Sequence, residues 1–277
     1  MSDFVPRDDK NYIKDAAAPG VPEILRLEAI TKNFGGVTAV SEFSMVQEDN
    51  TISAIIGPNG AGKTTTFNLI TGVQRLDAGK LFFRGRDITK LPAHRITALG
   101  MSRTFQNIRL FHNLSVIDNV KIAAGYKLSY GMFNELLSLP SVRREEKALH
   151  EKAMTTLQFL NLEKYADQKP GNLSYGLQRR LELSRALMPD PHLLLLDEPG
   201  AGLNPNEIRE LMETIQFIRS EKKMSIIIVE HHMELVMNIC SKIHVLDFGK
   251  KICEGTPEEI RKNEKVVEAY LGGAEEI

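Results

Sequence analysis

The chain has 277 residues, 42% of them hydrophobic and 26% charged, the make-up of an ordinary globular protein with room for a sizeable core. Lys and Arg number 35 against 36 Asp and Glu, a net charge of -1, which excludes a global electrostatic pull toward nucleic acid or an anionic bilayer. No apolar run approaches the ~20 residues that span a membrane, so at a membrane another chain would have to carry the span.

In chain order, residues 1–21 are polar, contain Ala and Pro, and show no periodicity, which predicts a loosely ordered extension. Charged residues at its start (Asp3, Arg7, Asp8, Asp9, Lys10) take the place of a signal peptide's apolar region. From Pro22 onward, β-rich runs at 24–27, 52–56, 80–83, 193–196, 225–229 and 243–246 alternate with helical patterns. Such alternation predicts an α/β fold, and the nearly unbroken apolar runs predict strands covered on both faces. Between about 115 and 187 helical spacing dominates, as in Leu149, Ala153, Leu157 and Leu160, so this block reads as a helical insertion in one α/β core. A further helix should start at Asn204, with Pro205 at its first position and Glu207 as the third-position acid. Its stripe of Ile208, Leu211, Met212, Ile215 and Ile218 should run to about Glu221. Cys240 and Cys253 have apolar neighbours and no metal-ligand spacing, as reduced cysteines of a cytosolic protein do.

Directly after the run at 52–56 come Gly57, Pro58, Asn59, Gly60, Ala61, Gly62, Lys63, Thr64 and Thr65, which fit G-x-x-x-x-G-K-[ST] in the strand-to-helix context the motif requires. Successive backbone N–H groups opening onto a helix N-terminus make an anion cradle, and the glycines would let the backbone approach phosphate oxygens. Lys63 would reach the β and γ phosphates of a nucleotide, and Thr64 would place its hydroxyl on Mg2+. The apolar run 193–196 ends in Asp197 and Glu198. Asp197 can hold Mg2+, directly or through water, while Glu198 faces the γ-phosphate as general base for the attacking water.

Phosphate loops with acidic strand ends occur in many NTPases, and the stretch Leu173-Ser174-Tyr175-Gly176-Leu177-Gln178-Arg179-Arg180 discriminates among them. It resembles the signature motif of ABC ATPases. In the same order along the chain, Gln106 looks like that family's Q-loop glutamine, His231 like its switch histidine, and Phe34 like the aromatic residue that stacks on adenine. The resemblance covers about residue 22 to the C-terminus. It implies a P-loop NTPase core of ABC type with an antiparallel β subdomain (22–106 and 188–277) and an inserted helical subdomain at about 107–187. It further implies a head-to-tail dimer in which Ser174 and the Gly176 amide of one copy close over ATP held by the other. His231 would contact the γ-phosphate, and Gln106 would sense it through Mg2+ and water. The implied partners are transmembrane permease subunits, a second ATPase subunit, identical or related, and indirectly a substrate-binding protein. The implied location is the cytoplasmic face of the inner membrane, and no nucleic acid is expected.

Departures narrow the subfamily. Tyr175 and Leu177 replace a glycine and a glutamine of the common signature, Asn204 stands where aspartate is usual, and His232 follows His231 where aspartate is also usual. The signature changes and the ending Val266-Val267-Glu268-Ala269-Tyr270-Leu271-Gly272 resemble ATP-binding subunits of branched-chain amino-acid importers. A related urea, amide or lipopolysaccharide transporter shares the tyrosine. A soluble ABC ATPase acting on nucleic acid or ribosomes is disfavoured by the near-neutral charge. A nucleotide-binding regulatory subunit with poor turnover is the remaining alternative. Leu110, Phe111 and Leu114 lie where the family receives a helix of its permease, and equally suit the core of the helical block.

Overall fold

The computed structural model describes residues 22–124 and 140–271, so the expected extension at 1–21, residues 125–139 of the expected helical block, and Gly272 of the expected ending lie outside it. The described residues fall into two compact units, one running up to Ile96 and resuming at Cys240, the other Thr97–Ile239.

In the first unit, β1 (Glu23–Phe34), β2 (Val37–Glu48), β4 (Ala78–Phe83) and β5 (Arg86–Asp87) form an antiparallel sheet in the order β2-β1-β4-β5. The alternation of β2 explains its placement: Phe43, Met45 and Gln47 are buried while Val46 and Glu48 are exposed, one face packed and one wet. β3 (Ile52–Ile56) is instead buried at every residue and pairs in parallel with β9 (Lys242–Asp247), which folds back antiparallel into β10 (Lys250–Gly255). This is the two-sided burial that its nearly unbroken apolar run predicts. α1 (Lys63–Ile70) follows β3 and α2 (Ala93–Ala98) follows β5, while α8 (Pro257–Arg261) and α9 (Glu264–Leu271) close the described chain.

The second unit is built on parallel strands β6 (Met101–Arg103), β7 (Leu193–Asp197) and β8 (Ser225–Val229), in the order β6-β7-β8. Between β6 and β7 the chain inserts α3 (Val116–Ile122), α4 (Pro140–Phe159) and α5 (Tyr175–Leu187), while residues 107–115 carry no helix. Val116, Val120, Leu157, Leu173 and Leu181 share one apolar core in this insertion, and Ala153 of the expected stripe joins it. α6 (Pro205–Lys222) starts as expected with a full capping box: Asn204 Oδ1 accepts from the Asn206 and Glu207 N–H groups, and Glu207 accepts from the Asn204 N–H. It ends one residue past the expected boundary, where Lys223 takes a left-handed conformation. α7 (Met233–Ile239) follows β8. Mixed strands with an inserted helical block and a separate antiparallel sheet are the α/β class expected. Among the described residues no helix is long and apolar enough to cross a membrane.

Candidate active site

In the first unit the phosphate loop leaves β3 at Ile56 and enters α1 at Lys63. The N-cap of α1 is Gly62, in the left-handed region, so no side chain caps its first-turn amides. The Lys63 ammonium reaches back to donate to the Gly57 and Pro58 carbonyls, at 2.7 and 2.8 Å. The glycines have different causes. A Cβ on Gly57 would stand 2.0 Å from the Leu246 carbonyl oxygen, so this chain's own backbone excludes a side chain there. Gly60 has open space around it and needs only its positive φ of 81°. Phe34 closes β1 with 45% of its surface exposed, and the Lys32 ammonium stands 5.4 Å from its ring centre. Lys32 also pairs with Asp77 at 2.8 Å, and that bond together with the Asn33 N–H lowers the Asp77 pKa.

In the second unit β7 delivers Asp197 buried, its Oδ2 accepting from Arg103 Nη2 at 2.6 Å. Glu198, next in the chain, takes φ 44°, a strained conformation for a residue with a side chain, and its N–H donates to the Val229 carbonyl at 2.8 Å. Two other sequence-identified residues meet it. Gln106 Nε2 donates to Glu198 Oε2 at 2.7 Å, and His231 Nδ1 lies 3.8 Å from the same oxygen. The His231 and His232 rings lie 4.7 Å apart.

Ser174 caps its own helix α5, its Oγ accepting from the Leu177 N–H at 3.4 Å. The replaced glycine is informative: the Tyr175 hydroxyl donates to the Ala201 carbonyl at 3.1 Å, so the signature helix reaches the loop that follows Glu198. Gly176 sits beside Glu207 of α6. Asn204 has a local task as helix cap. The backbone around Gln106 is gripped by a buried pair on α5. Arg179 and Glu182 bond at 2.7 Å, Arg179 reaches the Phe105 and Gln106 carbonyls at 3.5 Å, and Glu182 accepts from the Phe105 N–H at 3.3 Å. Burial raises the Glu182 pKa, with Arg179 opposing. Of the three apolar residues after Gln106, Leu110 belongs to the helical core, Leu114 is half-buried and Phe111 is exposed, with Arg185 stacked 5.1 Å above its ring.

Sequence reasoning passed over Arg103 and Glu230, both in contact with the residues it did identify. A signal existed for the second: Glu230 ends the apolar run 225–229 as Asp197 ends the run 193–196. Arg103 has no such mark, because its partner lies 94 residues away.

The comparisons with known proteins agree with this architecture. Residues 40–201 match the ABC transporter family, and residues 250–276 match the branched-chain amino acid ATP-binding cassette transporter family. The chain is 42% identical to the high-affinity branched-chain amino acid transport ATP-binding protein LivG of Salmonella typhimurium, over 91% of this chain and 98% of that one. It is 41% identical to the corresponding BraF protein of Pseudomonas aeruginosa, with the same coverage. Among solved structures, an ATP-binding cassette of an ABC transporter in its ADP conformation superposes with a TM-score of 0.79 at 32% identity, covering 90% of this chain and 99% of that one. The chain belongs to the ABC transporter family of ATP-binding cassettes, which are ATPases. Within that family its similarity is to the branched-chain amino acid branch, from the cassette itself to the C-terminal segment.

Proposed function

We propose that this chain is the ATP-hydrolysing motor subunit of a branched-chain amino acid transporter, closing head-to-tail with a second ATPase subunit on MgATP. It drives separate transmembrane permease subunits from the cytoplasmic face of the inner membrane, and a substrate-binding protein joins the system indirectly. The residues 57–65, Lys63 foremost, hold the phosphates, and Phe34 stacks on adenine. Thr64, Asp197 and Gln106 each carry an oxygen donor of the hard kind that Mg2+ prefers. Bound magnesium supplies neutralisation of the phosphate charge. Glu198 accepts the proton of the attacking water, and His231 contacts the γ-phosphate. Ser174 and the Gly176 amide serve the nucleotide of the opposite copy, so a monomer binds ATP and hydrolyses it poorly.

The observation that carries this reading is the convergence of Gln106 and His231 on one carboxylate oxygen of Glu198. Glu198→Gln should lower turnover about a hundredfold or more while ATP binding and ATP-dependent dimerisation persist. Equal rates for variant and wild type would remove Glu198 from its role. Co-purification with the permease, followed by ATPase assays with leucine, isoleucine and valine, tests the transported class. Stimulation by urea or an amide instead would move the substrate assignment.

A further inference from the structure

Glu230 is fully buried, follows the last residue of β8, and has no part in the chemistry assigned above. Its two carboxylate oxygens gather backbone N–H groups from two segments of the second unit. Oε1 accepts from Gly200 at 2.7 Å, and Oε2 accepts from His231 at 2.7 Å and His232 at 3.1 Å. Gly200 lies two residues after Glu198, and His231 is Glu230's own neighbour. The site is shaped for this bond: a Cβ on Gly200 would stand 2.7 Å from Glu230 Oε1 and 2.9 Å from Ile208 Cδ1. A second tie joins the same segments, from the Glu198 N–H to the Val229 carbonyl.

We propose that Glu230 is a positioning residue that binds the Glu198 segment to the His231 segment and so holds general base and switch histidine in register. The inference rests on the reading of Glu198 and His231 given above. A carboxylate suits the task because it is acceptor-only and can serve several donors at once. A glutamine brings one acceptor and one donor group, so in either orientation an N–H donor faces another N–H donor. None of the three amides belongs to residues 57–65, so the tie governs turnover and not the grip on ATP.

The test is steady-state MgATP hydrolysis by the full chain as wild type, Glu230→Gln, Gly200→Ala, the double variant and Glu198→Gln. With rates counted per folded molecule by circular dichroism, Glu230→Gln and Gly200→Ala should each lower kcat about tenfold or more with KM for ATP within about twofold. The double variant should be no slower than the slower single, because both changes break one tie. Wild-type kcat in either single variant, kcat and KM shifting together, or effects that multiply in the double variant would overturn the proposal. Should Glu230→Gln not yield folded protein, Gly200→Ala decides by the same criterion. Wild-type turnover in Glu198→Gln strikes the catalytic reading itself. Loss there beside intact turnover in Glu230→Gln strikes this inference alone.

Discussion

The phosphate loop and the Asp197–Glu198 strand end are built on opposite plans. The loop is a backbone device, its shape imposed by glycines of which Gly57 is locked by a neighbouring carbonyl. The strand end is a side-chain device, in which Arg103, Gln106, His231 and Glu230 hold acids or are held by them. A backbone cradle is broken by adding atoms, whereas a side-chain network is broken by removing them.

The largest effect should come from deletion in the network. Arg103→Leu strands the buried Asp197 carboxylate without its cation, and urea unfolding should show a loss of about 3–5 kcal/mol. A loss under about 1 kcal/mol would mean that Asp197 finds other partners. Adding one methyl group to the loop comes next. Gly57→Ala should cost about 3 kcal/mol, and Gly60→Ala, with open space around it, only about 1 kcal/mol. Equal costs at the two positions would contradict the locking by Leu246.

The last effect is one of pH. His244, on β9 opposite Ile55 of the strand that feeds the loop, is fully buried with Nδ1 3.2 Å from Glu254. Burial lowers its pKa from the ordinary 6.5 to about 4. The unfolded chain therefore binds a proton that the folded chain refuses between those values. Its contribution is complete above pH 6.5 and lost as the pH falls toward 4, by on the order of 2–3 kcal/mol. Partial burial pushes the Glu254 pKa up, but Lys251 and Lys242 outweigh it and hold it at about 2, so Glu254 stays ionised across that window. Thermal unfolding of wild type and His244→Met from pH 7 to 4 checks this. The two curves should converge in slope if another group is responsible.

Much of the fold was legible because its signals are local. β3 and β8 match their apolar runs residue for residue, and the cap at Asn204 appears where Pro205 and Glu207 place it. β10 escaped notice because Lys250, Lys251 and Glu254 make it polar, and only pairing with β9 reveals it as a strand. β6 is three residues long, too short for any period to show. Within the site, Tyr175 was visible as a departure, but its reach to Ala201 was not.

The sequence by itself determined the phosphate loop, the acidic strand end and the order of the motifs, since each is a run of neighbouring residues whose chemistry depends on its own backbone and spacing. Tertiary structure alone decided which side chains support that chemistry. The Arg103 bond to Asp197 and the Gly200 bond to Glu230 join residues 94 and 30 positions apart. Such a bond leaves no period or spacing along the chain, because its geometry exists only once the strands have paired.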